Sequence, residues 1–258
     1  MNRTLQPALS LFALGMVGLG ILALIYGDFA LVWQPVASWI PGRTALAYIS
    51  GALMLLGGVA LVFRSTSRWA AIILFLYLVA WALLKVPALV VAPKMEAVWL
   101  GFGELVLLLS GGWILFARLS GLDSHLGFAT GEKGVRIARV LFALALIPVG
   151  LSHIVYVKQT TELVPSWLPY RIGWAYLTGV GQMACGLGVL FSVLPRIAAM
   201  AEAGMLSLFG LLVWLPAVVA APRDRLSWTA FLITWAIASS AWLVTVDMLD
   251  GEAPSRLQ

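Results

Sequence analysis

Long apolar stretches are the feature that most constrains this chain. Eight of them, each long enough to cross a membrane as a helix, are separated by short segments that carry Lys, Arg, Asp or Glu. A helix of about 20 apolar residues spans the hydrocarbon core and satisfies its own backbone hydrogen bonds. Continuous apolar runs also differ from the alternating strands of an outer-membrane barrel. The sequence therefore predicts an all-α transmembrane protein with eight spanning helices.

The composition excludes several other classes. Hydrophobic residues make up 62% of the chain and charged residues only 10%, whereas soluble domains are about 25% charged. The net charge of +5 comes without a patch of basic and aromatic residues, so we expect the lipid bilayer as a partner and no nucleic acid. The first stretch lacks a convincing small-residue cleavage site before Asp28, which favours a retained helix over a signal peptide.

The distribution of basic residues predicts the orientation. With eight spans both termini lie on one side, and that side carries nine Lys and Arg residues against six on the other. Basic residues concentrate on the cytoplasmic side of membrane proteins. We therefore expect a bacterial-type inner (plasma) membrane protein with both termini in the cytoplasm.

A repeated string of residues organises the chain. VASWIPGR at 36–43 returns as VPSWLPYR at 164–171, a shift of 128 residues. With a shift of 129, Pro87 and Trp99 align with Pro216 and Trp228. The repeat predicts two four-helix bundles, a first unit at 1–118 and a second unit at 134–250. A cytoplasmic linker at 119–133 joins them, and 251–258 form a tail. Because each unit has an even number of helices, the repeats are expected to be parallel rather than inverted.

Two sets of recurring residues have a structural interpretation. Small residues on one helical face predict a close-packing seam. They are Ala47, Gly51 and Gly58, with Ala175, Gly179 and Gly186 in the second unit. The string before each of these helices combines Trp, Pro and Arg, which suits an interfacial anchor, with a lid over a cavity as the alternative. Its residues are Trp39, Pro41 and Arg43, with Trp167, Pro169 and Arg171 in the second unit.

Four polar residues inside the spans form the candidate site. Lys85 and Glu104 lie at similar depth in neighbouring helices, so they are expected to pair or to share a polar cavity. Such a pair fits a functional site and a structural ion pair equally. His153 and Gln182 lie in the second unit, where each could bind a ligand or only satisfy a neighbouring helix.

Other chemistry is not indicated. No catalytic residues and no metal site are predicted, since the sequence contains no clustered His, Asp and Glu and no nucleophile or phosphate-binding motif. The single Cys185 is expected to be a packing residue. His125 lies in the linker, so it cannot bind one haem together with His153. Enzymatic activity of the chain on its own is therefore not expected.

The second unit resembles the DoxX-like family of small four-helix membrane proteins. The resemblance rests on GLSHIVY at 150–156, VPSWLP at 164–169 and the glycine-rich GVGQMACGLGVLF at 179–191. The first unit resembles the family less closely and has Ala23 where the motif has its polar residue. The resemblance implies a link to quinone-dependent or other membrane redox complexes, with quinone as the possible cofactor.

Three functions remain open on the sequence. One is binding of a lipophilic small molecule such as a quinone, or assistance to a membrane redox partner protein. The second is a transporter or permease for small molecules or ions. The third is a structural or assembly factor without chemistry.

Overall fold

The computed structural model describes residues 4–122 and 125–250, and within them the regular secondary structure is helical. The predicted tail at 251–258 lies outside the described residues. Nine helices are present in the described part of the chain. They are α1 Leu5–Tyr26, α2 Arg43–Val62, α3 Ser67–Val91, α4 Glu96–Leu119, α5 Gly131–Val155, α6 Val157–Leu163, α7 Arg171–Leu190, α8 Pro195–Ala220 and α9 Arg225–Asp250.

The prediction of an all-α protein with several membrane-length helices is confirmed. Seven of the described helices are long and apolar enough to span a membrane. The eighth predicted span is α7, which has 20 residues but is less apolar because it contains Thr178, Gln182 and several glycines. The short α6 was not predicted as a helix, and α5 begins at Gly131, inside the predicted linker.

The long helices pack in two groups that meet at α4 and α9. In the first unit α1 packs on α2, α2 on α3 and α3 on α4. In the second unit α5 packs on α7, α7 on α8 and α8 on α9. Helices α4 and α9 contact each other, and each also contacts the first helix of the other unit, α5 or α1. The core therefore centres on α4 and α9, while α2, α3, α7 and α8 present apolar residues outward.

Glycines bring the first two long helices of each unit into backbone contact. A Cβ on Gly58 would lie 2.8 Å from the carbonyl oxygen of Ala13, and one on Gly186 would lie 2.6 Å from that of Ala143. Gly51 and Gly179 approach Gly20 and Gly150 in the same way. Ala47 and Ala175 are fully buried. The six seam residues thus lie where α1 meets α2 and where α5 meets α7.

We expect Gly58→Val to destabilise the protein by about 1–3 kcal/mol, because the added side chain meets a backbone carbonyl that cannot rotate away. Gly204→Ala is the matched control, since no atom of the described residues lies within 4 Å of an added Cβ. That control should be neutral or slightly stabilising. Thermal unfolding in detergent, followed by circular dichroism, measures both. Equal stability of the two variants would contradict the packing contact.

Helix α8 contains an irregular turn that α3 lacks. Residues Gly210–Trp214 form a π-helical turn. The starts of α3 and α8, Ser67 and Pro195, are 128 residues apart, whereas Pro87 and Pro216 are 129 apart. The second unit therefore has one additional residue in this helix, and the wider π-helical turn accommodates it. Such turns occur frequently at functional sites.

Arginine–carboxylate clusters join the helices at both ends of the bundle. At one end Asp247, only 4% exposed, forms ion pairs with Arg118 at 2.7 Å and with Arg139. At the other end Asp28 forms ion pairs with Arg225 at 3.0 Å and with Arg43. The first cluster connects α4, α5 and α9, and the second connects the end of α1 to the starts of α2 and α9.

Candidate functional site

Two polar side chains meet in the interior of the second unit. Gln182 on α7 donates a hydrogen bond from Nε2 to Oε1 of Glu202 on α8, at 3.2 Å. Both residues are fully buried. Gln182 lies eight residues before the end of α7 and Glu202 seven residues after the start of α8, so the pair lies about 10–12 Å from the ends of these helices at 1.5 Å per residue.

Each side chain of this pair retains an oxygen without a hydrogen-bond partner among the described residues. These atoms are Oε1 of Gln182 and Oε2 of Glu202. A buried polar group without a partner costs about 1–3 kcal/mol, and more if it is charged. Such groups are rare in native structures, and each calls for a specific explanation. Two adjacent ones define a place where a polar group of a ligand would be stabilised.

A second polar contact lies closer to the α1–α2 and α5–α6 end of the bundle. Nδ1 of His153 on α5 is 2.9 Å from the hydroxyl oxygen of Thr178 on α7. The imidazole also lies 5.7 Å from the ring of Phe209 on α8, which directly precedes the π-helical turn. Thr178 and Gln182 are one helical turn apart on α7. The two contacts therefore line the same region between α5, α7 and α8.

Lys85 and Glu104 lie in the first unit, where Lys85 binds backbone carbonyls rather than the Glu104 carboxylate. Lys85 is buried, and its ammonium donates to the carbonyl oxygens of Gly101 at 2.6 Å and Val32 at 3.4 Å. Both residues belong to the described part of the chain, and no ion pair within 4.0 Å joins them. Gly101 permits the close approach, since a Cβ there would lie 3.0 Å from the ammonium. The lysine is thus held by the carbonyl of Gly101, one turn before Glu104 on α4, and by that of Val32 in the α1–α2 connection.

The four predicted polar residues lie on four helices across the two units, and their hydrogen bonds fall in two places. Gln182 and His153 share the region between α5, α7 and α8. Lys85 and Glu104 belong to α3 and α4. Sequence reasoning did not identify Glu202 as part of the site, and it did not identify Thr178 as the partner of His153. The only available signal was an acidic residue inside a stretch otherwise uncharged from Arg196 to Arg223.

The interfacial strings occupy the turns before α2 and α7. Trp39 and Trp167 are 80% and 69% exposed, and Pro41 and Pro169 are also exposed. The arginines instead bind their own turns. Nε of Arg43 donates to the carbonyl of Val36 at 3.1 Å, and Nε of Arg171 donates to that of Val164 at 2.9 Å. The Trp side chains are thus available to the membrane interface, while the arginines brace the chain that leads into each helix.

Comparison with known proteins gives one match. A family described as a domain of unknown function (DUF8561) matches residues 142–240. That range contains His153, Thr178, Gln182 and Glu202, and it runs from α5 into α9. No curated protein and no solved structure matches the chain. Within residues 4–122 and 125–250, no group of three or more His, Cys, Asp and Glu residues has an arrangement that could hold a metal ion.

Proposed function

We propose that the second unit of this polytopic membrane protein binds a lipophilic small molecule of the quinone class between α5, α7 and α8. The observation that carries this proposal is the Gln182–Glu202 pair, which is fully buried and has on each side chain one oxygen without a partner among residues 4–122 and 125–250. Ligand sites are commonly apolar with a few placed polar groups. Polar residues inside a membrane span are functional candidates by default.

The chemistry of the pair suits a quinone and its reduced quinol. A protonated carboxyl group donates a hydrogen bond to a carbonyl oxygen, and an ionised one accepts from a hydroxyl. The amide oxygen of Gln182 also accepts from a hydroxyl. A quinone ring presents carbonyls when oxidised and hydroxyls when reduced, so Glu202 and Gln182 could hold both forms. We propose that a membrane redox partner protein exchanges the electrons, while this chain binds and orients the ring.

The first unit has no polar pair at the equivalent positions, and this difference supports a binding site in the second unit. By the repeat, Gln182 and Glu202 correspond to Met54 and Leu74, both almost completely buried. Leu74 packs directly over Gly57, where a Cβ would lie 2.7 Å from a Leu74 methyl. The first unit is therefore apolar and filled at the position where the second unit has its polar pair. A purely structural need of this helix packing would not require Gln182 and Glu202.

We also propose that the chain arose by duplication of a four-helix unit, with a pseudo-twofold axis along the membrane normal. Arg118 and Asp247 are equivalent under the shift of 129 residues, and they contact each other. Gly111 and Ser240 are equivalent under the same shift, and a Cβ on Gly111 would lie 2.8 Å from the Ser240 Cα. Residues on a twofold axis contact their own equivalents. These two contacts support the repeat predicted from sequence.

The proposed topology keeps both termini in the cytoplasm of a bacterial-type cell. The hydroxyl of Thr4 donates to a carboxylate oxygen of Asp250, so the start of α1 and the end of α9 share one side. The excess of basic residues on that side favours the cytoplasm. His153 and the interfacial strings then face the outer leaflet.

Native mass spectrometry of the full chain, purified in mild detergent, tests the proposed function. We expect one lipophilic molecule per chain, with the oxidised-minus-reduced ultraviolet difference spectrum of a quinone. Added decyl-benzoquinone should bind to protein from which this molecule has been removed. Protein that carries no such molecule and binds no added quinone would contradict the proposal.

A further inference from the structure

The first part of the connection between α1 and α2 places four side chains inside the first unit instead of on its surface. Within residues 29–34, the side chains of Phe29, Ala30, Trp33 and Gln34 are 5%, 5%, 1% and 2% exposed. The ring of Phe29 packs edge-on against Trp81 of α3, with centroids 5.6 Å apart. We call residues 29–34 the inserted segment. It fills the end of the first unit opposite the termini.

The inserted segment supplies a polar group to the helices around it. Nε2 of Gln34 donates to the hydroxyl oxygens of Ser50 on α2, at 3.2 Å, and of Tyr77 on α3. The two hydroxyls also contact each other, at 2.6 Å. Oε1 of Gln34 accepts from the backbone N–H of Ala30 at 3.0 Å. The Gln34 carboxamide therefore occupies the space between α2 and α3, and the Phe29 ring packs against α3.

A salt-bridge cluster fastens the inserted segment. Asp28 bonds to Arg43 and Arg225, and Arg225 also donates to the carbonyl of Phe29 at 2.6 Å. Burial raises the pKa of the Asp28 carboxyl, but hydrogen bonds from Arg225 and Arg43 outweigh that effect, so its pKa lies below its ordinary value. Val32, also in the inserted segment, has a backbone φ of 73°, which is a strained conformation for a β-branched residue. Its carbonyl oxygen accepts a hydrogen bond from the ammonium group of Lys85.

The corresponding connection in the second unit is built differently. It forms α6, Val157–Leu163, which contains no buried residue. Its Glu162, equivalent to Gln34, is exposed. Thr178, equivalent to Ser50, bonds instead to His153 of α5. Along α1 and α5 the repeat shift is 130 residues, which aligns Tyr26 with Tyr156 and Asp28 with Lys158. Lys158 and Glu96, the equivalents of Asp28 and Arg225, are not joined by an ion pair, although both lie in the described ranges. The second unit thus has neither an inserted segment nor the cluster that fastens it.

We infer that the inserted segment is a tethered occupant of a second ligand site, located in the first unit beside the hydroxyl groups of Ser50 and Tyr77. The full chain then binds one ligand, in the second unit, because its own Phe29, Trp33 and Gln34 fill the first. Removal of these groups exposes two hydroxyl donors beside an apolar space, which suits a planar ring with a carbonyl oxygen. This inference rests on the proposed function, since it takes the ligand of the second unit to be of the same chemical class.

The number of quinones bound per chain tests the inference. Full-length protein in detergent is titrated with decyl-benzoquinone and examined by native mass spectrometry. We expect one equivalent for the wild type and two for Trp33→Ala/Gln34→Ala. Glu162→Ala, at the position equivalent to Gln34, is the matched control and should bind one equivalent. The single variant Gln34→Ala is a milder change and replaces the double variant if the latter does not fold. After photolabelling with an azido derivative of the quinone, it should give labelled peptides from α2 and α3.

The outcomes separate this inference from the proposed function. In one outcome the wild type, the single variant and the double variant each bind one quinone, and neither variant acquires label on α2 or α3. That outcome would overturn the tethered occupant alone. A wild type that binds none, with a double variant that binds one, would overturn the second-unit site and support the tethered occupant. No binding by any variant would overturn both.

Discussion

We expect the double variant Gln182→Met/Glu202→Leu to be more stable than the wild type and to have lost quinone binding. The new residues approximate those of the first unit, where Met54 and Leu74 pack without a polar group. Replacement removes two buried oxygens that have no partner in the described part of the chain. Exchange of a buried polar pair for apolar residues of similar volume is often stabilising by about 1–4 kcal/mol. Functional sites commonly show this trade of stability for binding.

Thermal unfolding and decyl-benzoquinone titration of the same samples measure the two effects. Glu202→Leu alone should also lose binding, but it leaves the Nε2 donor of Gln182 without its acceptor and should be less stable than the double variant. Met54→Leu is a control in the first unit and should keep binding. A double variant that is less stable than the wild type but still binds quinone would show that Gln182 and Glu202 serve only to hold α7 against α8.

The second large effect is expected at the opposite end of the bundle, for Asp247→Ala. This carboxylate is 4% exposed and faces Arg118 and Arg139 from two other helices. Its removal leaves two guanidinium groups close together with the shared counter-charge gone. Loss of one partner from a buried ion pair costs about 3–5 kcal/mol. Because α4, α5 and α9 meet here, the loss should separate the two units.

Detergent-denaturant unfolding of Asp247→Ala, followed by tryptophan fluorescence, measures this loss. Glu132→Gln is the control, because Glu132 pairs with Arg118 but is 76% exposed. Exposed pairs contribute about 1 kcal/mol or less. The triple variant Arg118→Leu/Arg139→Leu/Asp247→Leu should recover much of the lost stability. A single Asp247→Ala variant as stable as Glu132→Gln would contradict a structural role for this cluster.

Much of the architecture could be predicted from the sequence, because the bilayer imposes a strong pattern. The charged residues that separate the apolar stretches lie near the helix ends, and Ala47, Gly51 and Gly58 lie where the backbones of α1 and α2 approach. Helix α7 is present where a span was predicted, but its Gln182 and glycines make it less apolar than the seven helices that are apolar enough to span a membrane. The glycines allow α7 to pack closely against α5, and Gln182 is one member of the polar pair. The residues that lower the hydropathy of α7 are therefore the ones that give it its packing and its part of the candidate site.

The partners of the polar residues could not be predicted. Lys85 was expected to pair with Glu104 or to share a polar cavity with it. Its hydrogen bond to the carbonyl of Gly101 was not foreseen, because every residue has such an acceptor and no sequence pattern identifies the one that is used. Glu202 was overlooked because seven residues separate it from the start of α8, close enough to resemble a residue at the membrane surface. The apolar inserted segment has the composition of an interfacial loop, so its insertion depends on three-dimensional contacts such as Gln34 with Ser50.

Photolabelling of the full-length wild type with an azido derivative of decyl-benzoquinone tests the proposed site most directly. The labelled peptides are identified by mass spectrometry, with and without excess unlabelled quinone. We predict label on peptides of α7 and α8 near Gln182 and Glu202, suppressed by the competitor and absent in Gln182→Met/Glu202→Leu. Label confined to the lipid-facing surface, unaffected by competitor and unchanged in the double variant, would contradict a binding site in the second unit.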